Sequence, residues 1–195
     1  MQTDRPVVYL ALLHYPVYNK EREVVATAVT NLDLHDLARL AVTYGCRGFF
    51  VVTPLKLQTR LVERLLDHWR TGRGGEFNPS RKQAFLSTRV VATLDDAVAA
   101  VAGENGRVPR IVATTARTVA GAKSYAELRE LMRSESGPWL VVFGTGWGLD
   151  DGFLEEVPEV VLEPIPGMDE YNHLSVRSAT AIVLDRLLAP DRERR

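Results

Sequence analysis

The chain has one cysteine, Cys46, so it cannot close an internal disulfide, which suits a reducing, cytoplasmic setting. Nothing in it reaches the ~18 consecutive apolar residues of a membrane-spanning helix. The opening Met1-Gln2-Thr3-Asp4-Arg5-Pro6 also lacks the charged-then-apolar form of a signal peptide. Neither sign of charge is in excess: 24 basic residues face 25 acidic ones, for a net charge of −1. That excludes coating nucleic acid through bulk charge and leaves room only for a local basic patch. No G-x-G-x-x-G turn follows the first apolar run, and no Walker sequence occurs anywhere, which disfavours nicotinamide and P-loop nucleotide binding. His14, His35, His68 and His173 lack metal-ligand spacing, so no metal is expected.

What the chain does have is a core. Its 195 residues, 46% of them hydrophobic, suffice for one domain over 1–195 with short frayed tails at 1–5 and 190–195. Apolar, β-branched or aromatic runs at 7–13, 48–52, 89–92, 111–113, 139–143 and 160–162 read as six buried strands. Helical patterns alternate with them. Asn31 or Asp33 can cap a helix that buries Leu34, Leu37, Ala38 and Ala41. Leu57, Leu61, Leu65 and Trp69 form the core stripe of a second helix. Thr93 opens an Ala-rich helix, and Ser124 with Glu127 forms a capping box for another. Strands alternating with helices imply an α/β fold with a mostly parallel six-stranded sheet and helices on both faces. The helix from Val176 is apolar on more than one side, which fits a homodimer seam.

Three stretches offer binding chemistry. Residues 71–80 are rich in glycine and contain Asn78-Pro79, so they read as an exposed loop. Arg73, Arg81 and Lys82, with Phe77 among them, could hold phosphates and stack a base there. Thr114 and Thr115 end the fourth strand and could donate to a ligand or close a local turn. The fifth strand runs straight into Gly144-Thr145-Gly146-Trp147-Gly148-Leu149, where bare backbone allows close approach of a ligand. The loop from His14 either faces this site or is a turn with a hydrogen-bonded histidine. Cys46 reads as a buried small residue rather than a nucleophile.

Phe143 to Leu149, Ile165-Pro166-Gly167, and Asn172-His173-Leu174-Ser175-Val176-Arg177-Ser178-Ala179 resemble the second and third motifs of the SPOUT superfamily of S-adenosylmethionine-dependent RNA methyltransferases. The similarity is closer to a small bacterial family of SPOUT-only proteins and extends over nearly the whole chain. Asp33 to Arg39 resembles the first motif: Arg39 matches an arginine beside the reaction centre, and Asp33 stands where many relatives carry asparagine.

The resemblance implies a C-terminal trefoil knot, a homodimer, S-adenosylmethionine as cofactor and a base or ribose of tRNA or rRNA as acceptor. Carried over residue by residue, it makes Gly144, Thr145, Gly146, Ile165, Gly167, Tyr171, Asn172, His173 and Leu174 the cofactor wall. Leu149 closes over the ring, and Thr114 and Thr115 approach the cofactor. Arg39, Asn172 and Ser175 become the catalytic candidates, with RNA on Arg39, Arg73, Arg81 and Lys82. Asp36, Glu163, Asp169 and His173 remain open as proton acceptors. A non-catalytic binding module on the same fold, or an ordinary flavodoxin-like nucleotide binder, are the alternatives.

Overall fold

A computed structural model describes residues 5–169 and 171–190. Apart from Arg5 and Pro190, the frayed tails expected at the two ends lie outside the described residues. The six strands of the main sheet are β1 (Val7–Leu13), β4 (Gly48–Val52), β5 (Thr88–Val91), β6 (Arg110–Ala113), β7 (Pro138–Gly144) and β8 (Val160–Val161). All pairings between them are parallel, in the order β5-β4-β1-β7-β6-β8. The chain lays β4 and β5 to one side of β1, then crosses over and fills the other side. The strand order therefore reverses beside β1, and Leu13 there is in register with Gly144. In open α/β sheets, ligand sites lie outside the carboxyl ends of strands at such a reversal.

Both faces of the sheet are covered, as parallel strands require. Leu10, Leu12, Phe49 and Val141 are buried with residues of α1 (Asn31–Thr43), α2 (Lys56–Arg70), α4 (Pro79–Leu86), α6 (Tyr125–Ser134) and α8 (Val176–Leu188). Tyr9, Ala11, Leu13 and Val142 are buried on the other face against α5 (Leu94–Asn105) and α7 (Asp151–Glu156). Cys46 is buried, and burial pushes its thiol up to about 12. Such a thiol is inert at neutral pH.

Several local expectations change. Thr30, not Asn31 or Asp33, caps α1: its hydroxyl accepts from the Asp33 N–H at 3.1 Å, and Asp33 sits one turn in. The four apolar positions expected on the inner face of α1 are all buried. In α2 the inward stripe is Val62 and Leu66, with Leu65 and Trp69 packed against the core. Leu57 is 76% exposed and Leu61 45% exposed. Both stripes have helical spacing and share Leu65 and Trp69, so periodicity alone does not separate them.

Residues 71–80 are not an open loop. They form α3 (Arg73–Phe77) and the start of α4. Asn78 caps α4, accepting from the Arg81 N–H at 3.0 Å, and Pro79 occupies the first turn, where its missing N–H costs nothing. Gly75 is needed for packing, since a Cβ there would lie 2.3 Å from the Trp69 carbonyl oxygen. A small hairpin of β2 (Val17–Tyr18) and β3 (Val24–Val25), unexpected from the sequence, projects from the end of β1.

Candidate active site

A cleft of about 660 Å³ opens at the carboxyl ends of β6, β7 and β8, beside the hairpin that follows β1. The turn after β7 forms its floor. Gly146 sits at φ +59°, where an added Cβ would also meet the Tyr18 carbonyl oxygen at 2.8 Å. The loop is fixed by main-chain bonds to the hairpin: Trp147 N–H donates to Tyr18 at 2.9 Å and Tyr18 N–H to Gly148 at 2.9 Å. Behind it, the Thr145 hydroxyl donates to the Leu13 carbonyl at 3.1 Å and lies 2.5 Å from the Thr27 hydroxyl. Thr27 in turn lies 3.0 Å from His14 Nδ1. His14 is fully buried and held neutral, its pKa lowered to about 4 by burial. It buttresses the loop from behind, so the turn reading of this segment holds.

Most of the expected wall comes together. Thr114, Thr115, Gly144, Thr145, Gly146, Ile165, Asn172, His173, Leu174 and Ser175 all line the cleft, though they are spread over more than 60 positions of the chain. Each has a local reason to be where it is. Thr114 Oγ1 donates to the Val142 carbonyl at 3.0 Å, and Thr115 Oγ1 accepts from the Arg117 N–H at 3.1 Å. Asn172 Nδ2 donates to the Ala116 carbonyl at 3.3 Å, tying the segment before α8 to the end of β6. Ser175 caps α8 by accepting from the Ser178 N–H at 3.2 Å.

Other expected residues lie elsewhere. Leu149 is 1% exposed and belongs to the core beneath the floor, its carbonyl accepting from Arg117 Nη2 at 2.6 Å. Gly167 and Tyr171 flank the cleft without lining it; Tyr171 is exposed and meets the His173 ring edge-on at 5.3 Å. Arg39 lies outside the cleft, its side chain 63% exposed and 3.8 Å from Asp36. It connects to the wall only indirectly, since Asp36 lies 3.5 Å from Arg177, which pairs with Asp33 at 2.5 Å. Arg73, Arg81 and Lys82 sit on α3 and α4, away from the cleft lining, with Arg81 over the Trp69 ring at 4.8 Å. Of the four proton-acceptor candidates, Glu163 and His173 line the cleft and Asp36 and Asp169 do not.

Sequence reasoning missed two features of the site. Asp33 lines the cleft as a buried carboxylate, 6% exposed, bonded by both the Thr30 hydroxyl at 2.6 Å and Arg177. At the mouth stand Tyr18, Arg22, Arg117 and Trp147, where Asp151 receives ion pairs from both arginines. The hairpin that carries two of these residues gave no periodic signal. The cleft thus combines bare backbone, apolar Ile165 and Leu174, and a few anchored polar groups, the composition of a small-ligand site.

These observations have counterparts in known proteins. The model of a family described as SAM-dependent RNA methyltransferase matches residues 7–189, and the chain belongs to that family. It is 46% identical over 181 residues to a protein of Nitratidesulfovibrio vulgaris called tRNA (guanine-N(1)-)-methyltransferase. That alignment takes 93% of this chain but 42% of that protein, so the chain spans less than half of it. A protein of Aquifex aeolicus without an assigned function is 38% identical over 185 residues, covering 95% of this chain and 90% of that one. Among solved structures, a probable methyltransferase from Bordetella pertussis superposes with a TM-score of 0.61 at 18% identity, covering 95% of this chain and 96% of that chain. An AdoMet-bound rRNA methyltransferase from Sinorhizobium meliloti gives a TM-score of 0.54 at 18% identity, covering 96% of this chain and 57% of that chain. At such identities the likeness is one of fold.

S-adenosylmethionine is the cofactor of the family, and the cleft suits it in volume, bare backbone and apolar wall. Gly146→Ala is expected to weaken S-adenosylhomocysteine binding about tenfold or more, because a left-handed Ala costs ~1–2 kcal/mol and must also displace the Tyr18 carbonyl. Gly103→Ala, where a Cβ meets nothing within 4 Å, should leave binding unchanged. Calorimetric titration of the two variants side by side checks both.

Proposed function

We propose that this chain transfers the methyl group of S-adenosylmethionine to a base or ribose of tRNA or rRNA. The observation carrying this reading is that three separate stretches, the turn after β7, the Ile165 segment and residues 172–175, converge on one cleft. When bound, the cofactor supplies an already activated methyl group, so the protein's work is alignment, worth ~7–11 kcal/mol at best, and management of one proton. Gly144, Thr145, Gly146, Ile165, Asn172, His173 and Leu174 hold the cofactor, with Thr114 and Thr115 at its edge. Asn172 and Ser175 fix the acceptor, and Glu163 or His173 receives its proton.

Arg39 acts on RNA from outside the cleft, and Arg73, Arg81 and Lys82 form a more distant phosphate-binding patch. The protein works as a cytoplasmic homodimer through α8, whose Ile182 and Leu188 are only half-buried in one chain. The family resemblance further supports a knotted C-terminal region of the SPOUT type. Among the described residues no helix is long and apolar enough to cross a membrane.

The test is incubation with methyl-labelled cofactor and unmodified tRNA or rRNA. Labelled RNA is expected, with turnover falling in Arg39→Ala while S-adenosylhomocysteine affinity holds. Unchanged turnover would remove Arg39 from the mechanism. A chain that binds S-adenosylhomocysteine but leaves all RNA unlabelled would be the binding module instead. Asp33, at a position where many relatives in the resembled SPOUT superfamily carry asparagine, is the feature that favours that second reading.

A further inference from the structure

We infer that the hairpin and the glycine turn together form a nucleotide-holding rim: an unpaired nucleotide of the RNA stacks its base on Trp147 while Arg22 takes its phosphate. The inference rests on the RNA-methyltransferase reading and adds to it a place and a mode of substrate recognition.

Trp147 carries the first part of the argument. Of the three tryptophans, Trp139 is fully buried and Trp69 packs against the core, yet Trp147 is 59% exposed at the mouth of the cleft. An indole left in water forgoes ~1.5–3 kcal/mol of burial. Its backbone is nonetheless tied to the hairpin, because its N–H donates to the Tyr18 carbonyl. An exposed aromatic face at a cleft mouth can serve as a stacking platform, and such platforms accept any base.

Arg22 supplies the second, independent part. It is a non-glycine residue at φ +63°, in the left-handed region that costs a long side chain energy. That conformation places its guanidinium 4.6 Å over the Tyr18 ring, with Nη2 2.7 Å from Asp151. Arg117 pairs with the same carboxylate, so one acid serves two guanidinium groups. The Arg22 side chain remains 59% exposed, leaving donors for a phosphate. Tyr18 is bonded to Gly148 through its N–H and to the Asp151 N–H through its hydroxyl, at 3.1 Å. Platform and cation are therefore both anchored on Tyr18.

The geometry also fits the reaction's need. An acceptor in folded RNA must leave its stack to enter a cleft, which costs a few kcal/mol. A platform at the mouth recovers part of that cost for the strand being drawn in. The cleft volume of about 660 Å³ lies within the ~300–1,000 Å³ usual for small-ligand sites, and Trp147 and Arg22 both stand on its lining.

The test uses the full chain with unmodified tRNA transcripts, titrated alongside S-adenosylhomocysteine. Trp147→Ala is expected to weaken RNA binding about fivefold or more, since base stacking is worth ~1–3 kcal/mol per base. It should also raise the KM for RNA while S-adenosylhomocysteine affinity stays within about twofold. Trp147→Phe keeps most of the RNA affinity but loses the tryptophan quenching that RNA causes in the wild type. Arg22→Gln should lower the slope of log affinity against log salt by about 0.7–0.9. RNA affinity unchanged in Trp147→Ala, or equal losses for RNA and S-adenosylhomocysteine, would overturn the rim. Should Trp147→Ala fail to fold, full quenching in Trp147→Phe together with an unaltered salt slope in Arg22→Gln would overturn it equally. A wild-type chain that binds no RNA overturns the functional reading itself, a result distinct from variants that bind RNA as the wild type does.

Discussion

Replacing Asp33 by alanine is expected to lower the melting temperature by about 6–12 °C. The carboxylate is almost wholly buried, accepts from the Thr30 hydroxyl at 2.6 Å and pairs with Arg177 at 2.5 Å. Breaking one side of a fully buried pair costs ~3–5 kcal/mol. Here the abandoned Arg177 is one-third exposed and keeps Asp36 at 3.5 Å, which moves the cost to about 3 kcal/mol. At ~2–4 °C per kcal/mol for a chain of this size, the stated shift follows. Asp33→Asn keeps an acceptor for Thr30 and the side-chain volume, so it should lose about half as much. A thermal scan by circular dichroism measures both. An alanine variant melting within about 2 °C of wild type would mean that Asp36 alone satisfies Arg177. The pair joins the N-terminus of α1 to the first turn of α8, so its loss should also loosen the cleft wall that Asp33 and Ser175 share.

That pair shows where sequence reading stops. Asp33 and Arg177 are 144 positions apart, and neither periodicity nor spacing links them. What was legible was local or repetitive. The inner face of α1, the Thr93 cap and the capping box at Ser124 follow from one or two turns of chain. The six sheet strands follow from runs of buried residues. Two features misled for physical reasons. Asn78-Pro79 is equally a turn signal and a helix start, and Gly75 serves close packing on α2 rather than a mobile loop. The strands β2 and β3 are two residues each, too short for any period, and are held by the glycine turn rather than by their own pattern. The position of Arg39 outside the cleft lining depends on which face of α1 meets the sheet, which its motif match does not specify. The motif residues that did converge are those whose types, glycine, proline and capping serine, dictate backbone shape directly.

Stability should fall by about 2 kcal/mol between pH 7.5 and pH 5, with His14 as the main source. Burial lowers the His14 pKa from an ordinary 6.5 to about 4, so the folded chain holds the ring neutral. Above pH 6.5 neither folded nor unfolded chain binds the proton, and the stability is fully present. As pH falls below that value the unfolded chain takes a proton that the folded one refuses, and stability declines until the buried ring titrates near pH 4. The whole descent amounts to about 3 kcal/mol. His35, also lowered chiefly by burial, acts in the same direction. Asp151 and Glu104 have lowered pKa values but are largely exposed, so their contributions are screened and fall at lower pH. Urea unfolding of the wild type and His14→Asn at both pH values separates the histidine from the rest: the variant should lose most of the pH dependence. Equal slopes in the two proteins would remove His14 as the source. Because the His14 ring reaches Thr145 through Thr27, charging it disturbs the floor of the cleft as well as the fold. Affinity for S-adenosylhomocysteine should therefore hold down to pH 5 and drop only as the pH nears 4, where the folded ring titrates, and less so in the variant.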